Sequence, residues 1–185
     1  HYSPGENIKT YLKLEPRLSV RFALNDRSSI KAAYTQNYQY IHLASLSSIS
    51  LPTDVWIPST DIVRPQFGTQ YAIGYFRNFK DNAWETSVEA YYKEMKNQVE
   101  YREGFLPEET VNDNIDNNFV FGRGWSYGTE WFIKKSAGKF SGWIGYTLSW
   151  TKRKFEDLNL GKEFFAKFDR RHDINIVLTR QMGTR

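Results

Sequence analysis

The feature that most constrains this chain is alternation of apolar and polar side chains with a period of two, sustained over long runs and broken by turn-forming residues. Such a period belongs to strands whose two faces meet different surroundings, and no stretch carries the 3.6-residue stripe of an amphipathic helix. In Arg17–Leu24, Leu18, Val20, Phe22 and Leu24 share one face, while Arg17, Ser19 and Arg21 share the other. Ser29–Leu43 sets Ile30, Ala32 and Tyr34 against Lys31, Ala33 and Thr35. Phe67–Arg77 and Trp84–Tyr101 repeat the pattern, the latter with Trp84, Thr86, Val88, Ala90 and Tyr92 opposite Glu85, Glu89 and Lys93. Gly124–Lys134 and Phe140–Trp150 continue it, and a last strand beginning near Ala166 carries Ile174, Ile176 and Leu178. The spacing predicts an all-β antiparallel up-and-down meander of about seven long strands.

Two properties separate this pattern from a soluble sandwich. Globular strands have a mode of ~5–6 residues, whereas a tilted strand crossing a bilayer needs ~9–11, and most runs here reach that length. The connections are also asymmetric: Asn25–Ser28, Asn78–Ala83 and Ser136–Lys139 are short, and Ala44–Gln66, Arg102–Asn118 and Glu156–Phe165 are long. In a meander the short ones gather at one end and the long ones at the other, as in outer-membrane barrels. Aromatic residues make up 17% of the chain, and Trp84, Tyr92, Trp125, Tyr127, Trp131, Phe140, Tyr146 and Trp150 lie on the apolar faces, where amphipathic rings suit the headgroup level. A mean hydropathy of −0.63 argues against a helical membrane protein. The absence of cysteine removes disulfides and thiolate chemistry. Charge is mixed along the chain, so a net +4 gives no reason to expect nucleic acid as a partner.

Several motifs invite chemistry. Gly122-x-Gly124-x-x-x-Gly128 misses the dinucleotide fingerprint by one residue and precedes no helix, so no nucleotide cofactor is expected. Glu85, Glu89 and Glu130 could be read as acid–base carboxylates, but on a strand face with Arg21, Lys31, Lys93 and Lys134 they read better as a solvated, mutually paired wall. Asp169-Arg170-Arg171-His172-Asp173 has no second histidine at metal-binding spacing, so no metal is expected, and its charges read as a register anchor at the start of a strand. Trp56, flanked by Pro52 and Pro58, is the candidate ligand contact: an aromatic in a stiffened loop can stack on a ligand or pack the loop itself. No enzymatic activity is expected.

Leu14-Glu15-Pro16-Arg17-Leu18-Ser19, Ile30–Tyr34, Gln39–Leu43, Leu51–Pro58, Arg64-Pro65-Gln66, Ser87–Lys93, Gly122–Glu130 and Phe168–Asp173 together resemble the barrel of TonB-dependent outer-membrane receptors, particularly the group bearing a carboxypeptidase-like regulatory domain before the plug. The resemblance implies a 22-stranded transmembrane barrel filled by an N-terminal plug, in the outer membrane of a Gram-negative bacterium. It implies import of a scarce ligand, not identified by the sequence, driven through TonB. Residues 1–185 then form a single segment of that barrel, with the plug and the TonB-contacting segment outside this chain. Arg21, Lys31, Glu85, Glu89, Gly124, Gly128 and Glu130 would face the lumen and plug, the glycines allowing close approach of the plug backbone, and the apolar face would meet outer-membrane lipid. A passive porin-like channel and a soluble β-barrel ligand-binding module are the alternatives: the first would lack a plug, the second would bury its aromatics.

Overall fold

A computed structural model describes residues 9–44, 55–104 and 115–183 of the chain. The strands are β1 (Arg17–Asn25), β2 (Ser28–Gln39), β3 (Ile41–Ala44), β4 (Val55–Pro58), β5 (Gln66–Phe79), β6 (Trp84–Tyr101), β7 (Phe119–Lys135), β8 (Phe140–Phe155), β9 (Phe164–Phe165) and β10 (His172–Arg180). Seven of them form one antiparallel meander in the order β1-β2-β5-β6-β7-β8-β10, with β9 added to β8; β3 and β4 pair separately.

Local chemistry accounts for the turns. Asn25 accepts the Arg27 N–H on its side-chain oxygen at 3.0 Å. Lys80, Asp81 and Asn82 all adopt left-handed backbone, closed by the Ala83 N–H donating to the Lys80 carbonyl at 3.0 Å. Gly138 takes φ +97 in the turn between β7 and β8. These three connections lie at one end of the sheet; the chain leaves β2, β6 and β8 and enters β5, β7 and β10 at the other.

Residues directly opposed in an antiparallel pair share a face, so register assigns the faces. Phe22, Ile30, Tyr75, Val88, Trp131, Tyr146 and Ile174 form one continuous row across the seven strands. Arg21, Lys31, Gly74, Glu89, Glu130, Thr147 and Asp173 form a row on the reverse. Along these two rows one face is apolar and the other polar, as the alternation predicts.

Four boundaries differ from the sequence reading. Ser29–Leu43 is interrupted at Tyr40, where the chain leaves the main sheet and Ile41–Ala44 pairs with Val55–Pro58. Trp56 accordingly sits on a strand, not in an irregular loop. β7 begins at Phe119, before Gly124, because β6 runs far enough to pair Tyr101 with Phe119. The last strand begins at His172, and Phe164–Phe165 is a separate two-residue strand.

The core is displaced from the middle of the sheet. All the buried hydrophobic residues among those described lie at the long-connection end: Ile57, Val63, Val99, Tyr101 and Phe119 in one cluster, and Val120, Phe155 and Leu158 in another. Below them the apolar face is uncovered, with Val20 59%, Phe22 66%, Ile73 57% and Ile176 66% exposed. In water each such side chain would forgo roughly 1.5–3 kcal/mol of burial. A continuous face of this kind marks a surface made for an apolar environment.

Candidate functional site

The polar face carries a graded row of charge. Arg21 and Lys31 stand on β1 and β2, whereas Glu89, Glu130 and Asp173 stand on β6, β7 and β10. Gly74 separates the two signs. A Cβ there would meet the Glu89 side chain at 2.8 Å and the Phe76 ring at 2.9 Å. The Phe76 ring in turn holds the Lys31 ammonium 4.0 Å from its centroid, a cation–π contact. Glu89 and Glu130 are directly opposed, with no ion-pair partner among the described residues, whereas Glu85 pairs with Lys134 at 3.3 Å.

Toward the short-turn end this face hollows into a concavity of about 400 Å³, with Phe76, Phe132 and Trp143 lining it alongside Glu85, Glu89 and Glu130. The Phe132 and Trp143 rings lie 5.9 Å apart. Sequence reasoning missed these three aromatics. Their signal was a break in alternation: Tyr75-Phe76, Trp131-Phe132-Ile133 and Trp143-Ile144 are consecutive apolar residues, so one of each set must enter the polar face.

The glycines expected to admit a plug are tightly packed by this chain itself. A Cβ on Gly128 would lie 2.5 Å from the Leu148 carbonyl oxygen and 3.0 Å from Ser149, both on β8. At Gly124 the nearest atoms are the Met95 methyl at 3.1 Å and the Lys152 carbonyl oxygen at 3.3 Å. Gly122 makes room for the Phe155 ring.

At the long-connection end, β3 and β4 form a hairpin with a buried and an exposed side. Ile57 and His42, opposed in register, are buried, and Ile57 joins Val63, Val99, Tyr101 and Phe119. Trp56, opposite Leu43, points the other way and is 63% exposed beside exposed Ile41 and Leu43. Pro58 ends the strand; Pro52 lies outside the described residues. The descending segment is fixed by the Thr60 hydroxyl donating to Asp116 at 2.7 Å and by the Asn97 amide donating to the Pro65 carbonyl at 2.9 Å. Asn97 has φ +56 at the bulge in β6, which turns its side chain toward that carbonyl. His42 Nε2 meets Ser59 Oγ at 2.8 Å, and burial holds the imidazole pKa below its ordinary value. Glu100, paired with Arg153 at 2.5 Å, has its carboxyl raised by burial, an effect that Arg153 partly offsets.

Asp169–Asp173 does anchor register. The Asp169 carboxylate accepts the Thr151 N–H at 2.6 Å and pairs with Arg171 at 3.1 Å. The Arg171 guanidinium lies 4.8 Å from the Trp150 ring centroid and 4.9 Å from that of Phe165. His172 Nδ1 meets the Tyr146 hydroxyl at 2.8 Å.

No family model and no curated protein matches the sequence. Solved structures do match the fold. The complex of FpvAI with pyocin S2 aligns over 96% of this chain and 22% of that one, at 19% identity and a TM-score of 0.66. The ferripyoverdine receptor of the outer membrane of Pseudomonas aeruginosa, bound to ferripyoverdine, aligns over 92% and 20%, at 19% identity and a TM-score of 0.62. The Pseudomonas aeruginosa FpvA complex with a heterologous pyoverdine aligns over 92% and 20%, at 18% identity and a TM-score of 0.61. The chain has the fold of part of these receptors. It spans about a fifth of their length.

Proposed function

We propose that the chain forms part of the wall of a TonB-dependent receptor barrel in the outer membrane of a Gram-negative bacterium, and that the whole protein imports a scarce ligand. The observation that carries this reading is the uncovered apolar face: seven adjacent strands present it, while the buried side chains gather at the long-connection end. The match in fold to outer-membrane receptors supports the same reading. A soluble module would enclose this face, and the matched structures are receptors and not passive channels, so both are the weaker readings.

In the proposed barrel of 22 strands, residues 1–185 are one segment, and the plug and TonB-contacting parts belong to the rest of the protein. The polar face looks into the lumen. Opposed Glu89 and Glu130 repel one another and are suited to a basic partner, which the plug would supply. Arg21, Lys31 and Glu85 complete this wall, while Gly124 and Gly128 keep it thin where the plug passes. Trp56, exposed on a docked hairpin, is the proposed contact for the ligand outside the cell.

The test is made on the full-length protein in its host: fractionation and surface labelling of a tag placed within 45–54, the stretch joining β3 and β4. The reading expects outer-membrane fractionation and labelling of intact cells. Recovery in the soluble fraction would refute it.

A further inference from the structure

Above the apolar belt, the same face changes character within two outward-facing positions. Tyr92, Tyr127 and Trp150 are successive partners in register, with ring centroids 6.5 Å apart for the first pair and 5.5 Å for the second. Four residues farther toward the long connections, the same three strands place Lys96, Arg123 and Lys154 in a second row. At ~3.3 Å per residue the offset is about 13 Å along the strand. Phe67 and Tyr38 continue that row onto β5 and β2, their rings 4.8 Å apart.

All three cations are exposed. Lys96 lies 3.8 Å from Glu94, but Arg123 and Lys154 have no ion pair among the described residues. Lys152 stands in the intervening row and is held by Glu163 at 3.4 Å. Like charges directly opposed across strands are destabilising, so a row of three cations with a single carboxylate beside Lys96 points to an anion that bridges them. The level is set by the rings beneath: Trp84–Tyr92 is the length of one bilayer-crossing strand, which puts Tyr92 at the interface and Lys96 among the headgroups.

We propose that Lys96, Arg123 and Lys154 form a binding surface for the phosphorylated headgroup of an outer-leaflet lipid, with acyl chains lying on the aromatic and aliphatic side chains below. The inference rests on the membrane reading given above. Arg123 sits centrally, and its planar guanidinium offers the bidentate contact that phosphate favours. Lys96 and Lys154 flank it as point charges.

The full-length protein, first confirmed to insert into vesicles, is delipidated in mild detergent and mixed with lipid A or with its dephosphorylated form. Retained lipid is counted by native mass spectrometry. The phosphorylated lipid is expected to be kept about tenfold better or more, the size of one lost charge-assisted contact. The variant carrying Lys96→Gln, Arg123→Gln and Lys154→Gln is expected to lose that preference. Lys96→Arg with Lys154→Arg should keep it, as should Lys139→Gln in a short turn. If the triple variant does not insert, Arg123→Gln alone decides by the same readout. Equal retention of the two lipids by the inserted wild type, or undiminished preference in the inserted variant, would overturn the proposal and leave the membrane reading standing. Displacement of the lipid by inorganic pyrophosphate at equal concentration would overturn it too, since the surface would then hold free anions. Failure of the wild type to insert would overturn both.

Discussion

Single residues divide here into those that hold the wall together and those that face outward from it. Asp169 is of the first kind, because its carboxylate occupies both the Thr151 amide and the Arg171 guanidinium. Asp169→Ala leaves both groups without that partner and is expected to cost about 1–3 kcal/mol, read as a lower midpoint for heat-induced loss of the folded band of the full-length protein. Gly128→Val is expected to do more, since a Cβ would collide with the Leu148 carbonyl and Ser149 of β8; the expected result is failure to assemble, visible as absence from the outer membrane. Trp56 is of the second kind. Its ring touches solvent on a hairpin held by Ile57 and Thr60, so Trp56→Ala should leave surface expression intact. A lost stacking contact of ~0.5–1.5 kcal/mol predicts ligand binding on intact cells weakened several-fold. Unchanged binding at equal expression would remove Trp56 from the site, and lost expression would assign it to packing.

At the scale of elements, the β3–β4 hairpin is the piece most sensitive to conditions. His42 is fully buried in it with its pKa depressed from 6.5 by desolvation. A base that resists protonation when folded binds fewer protons than when released. The docked state therefore keeps its full stability above pH 6.5 and loses it as pH falls through that value toward the lower folded pKa. Hydrogen exchange of Ile57–Val63 is expected to accelerate relative to β6 as pH drops from about 7.5 to about 5.5; parallel changes in the two segments would contradict this. The hairpin was also the least legible element in the sequence. Tyr40-Ile41 are consecutive apolar residues that shift the phase of the alternation, which marks a break but not where the chain goes; that is decided by pairing with Val55–Pro58, far along the chain. The seven main strands were legible because a period of two and turn chemistry are local properties. Arg21, Lys31, Glu89 and Glu130 were placed on one face for the same reason. Phe76, Phe132 and Trp143 escaped notice because consecutive apolar residues, Tyr75-Phe76, Trp131-Phe132-Ile133 and Trp143-Ile144, look like continuations of the apolar face until register assigns them.

For the whole molecule, the question is which medium the apolar face meets. In the proposed barrel it meets lipid, with the polar row in the lumen and the buried clusters above the bilayer. Val88→Arg would then put a charge in hydrocarbon and is expected to cost about 2–4 kcal/mol near the midplane, measured as a shifted equilibrium for folding of the full-length protein into vesicles. The most direct measurement uses single cysteines at Ile73, Val88, Ile144, Lys31, Glu89 and Glu130, a stretch without native cysteine; each carries a fluorophore in the full-length protein, with any cysteine elsewhere replaced by serine, reconstituted with lipids bearing a quencher on their acyl chains. The account predicts strong quenching at Ile73, Val88 and Ile144 and little at Lys31, Glu89 and Glu130. Equal quenching at the two sets, or the reverse order, would contradict it.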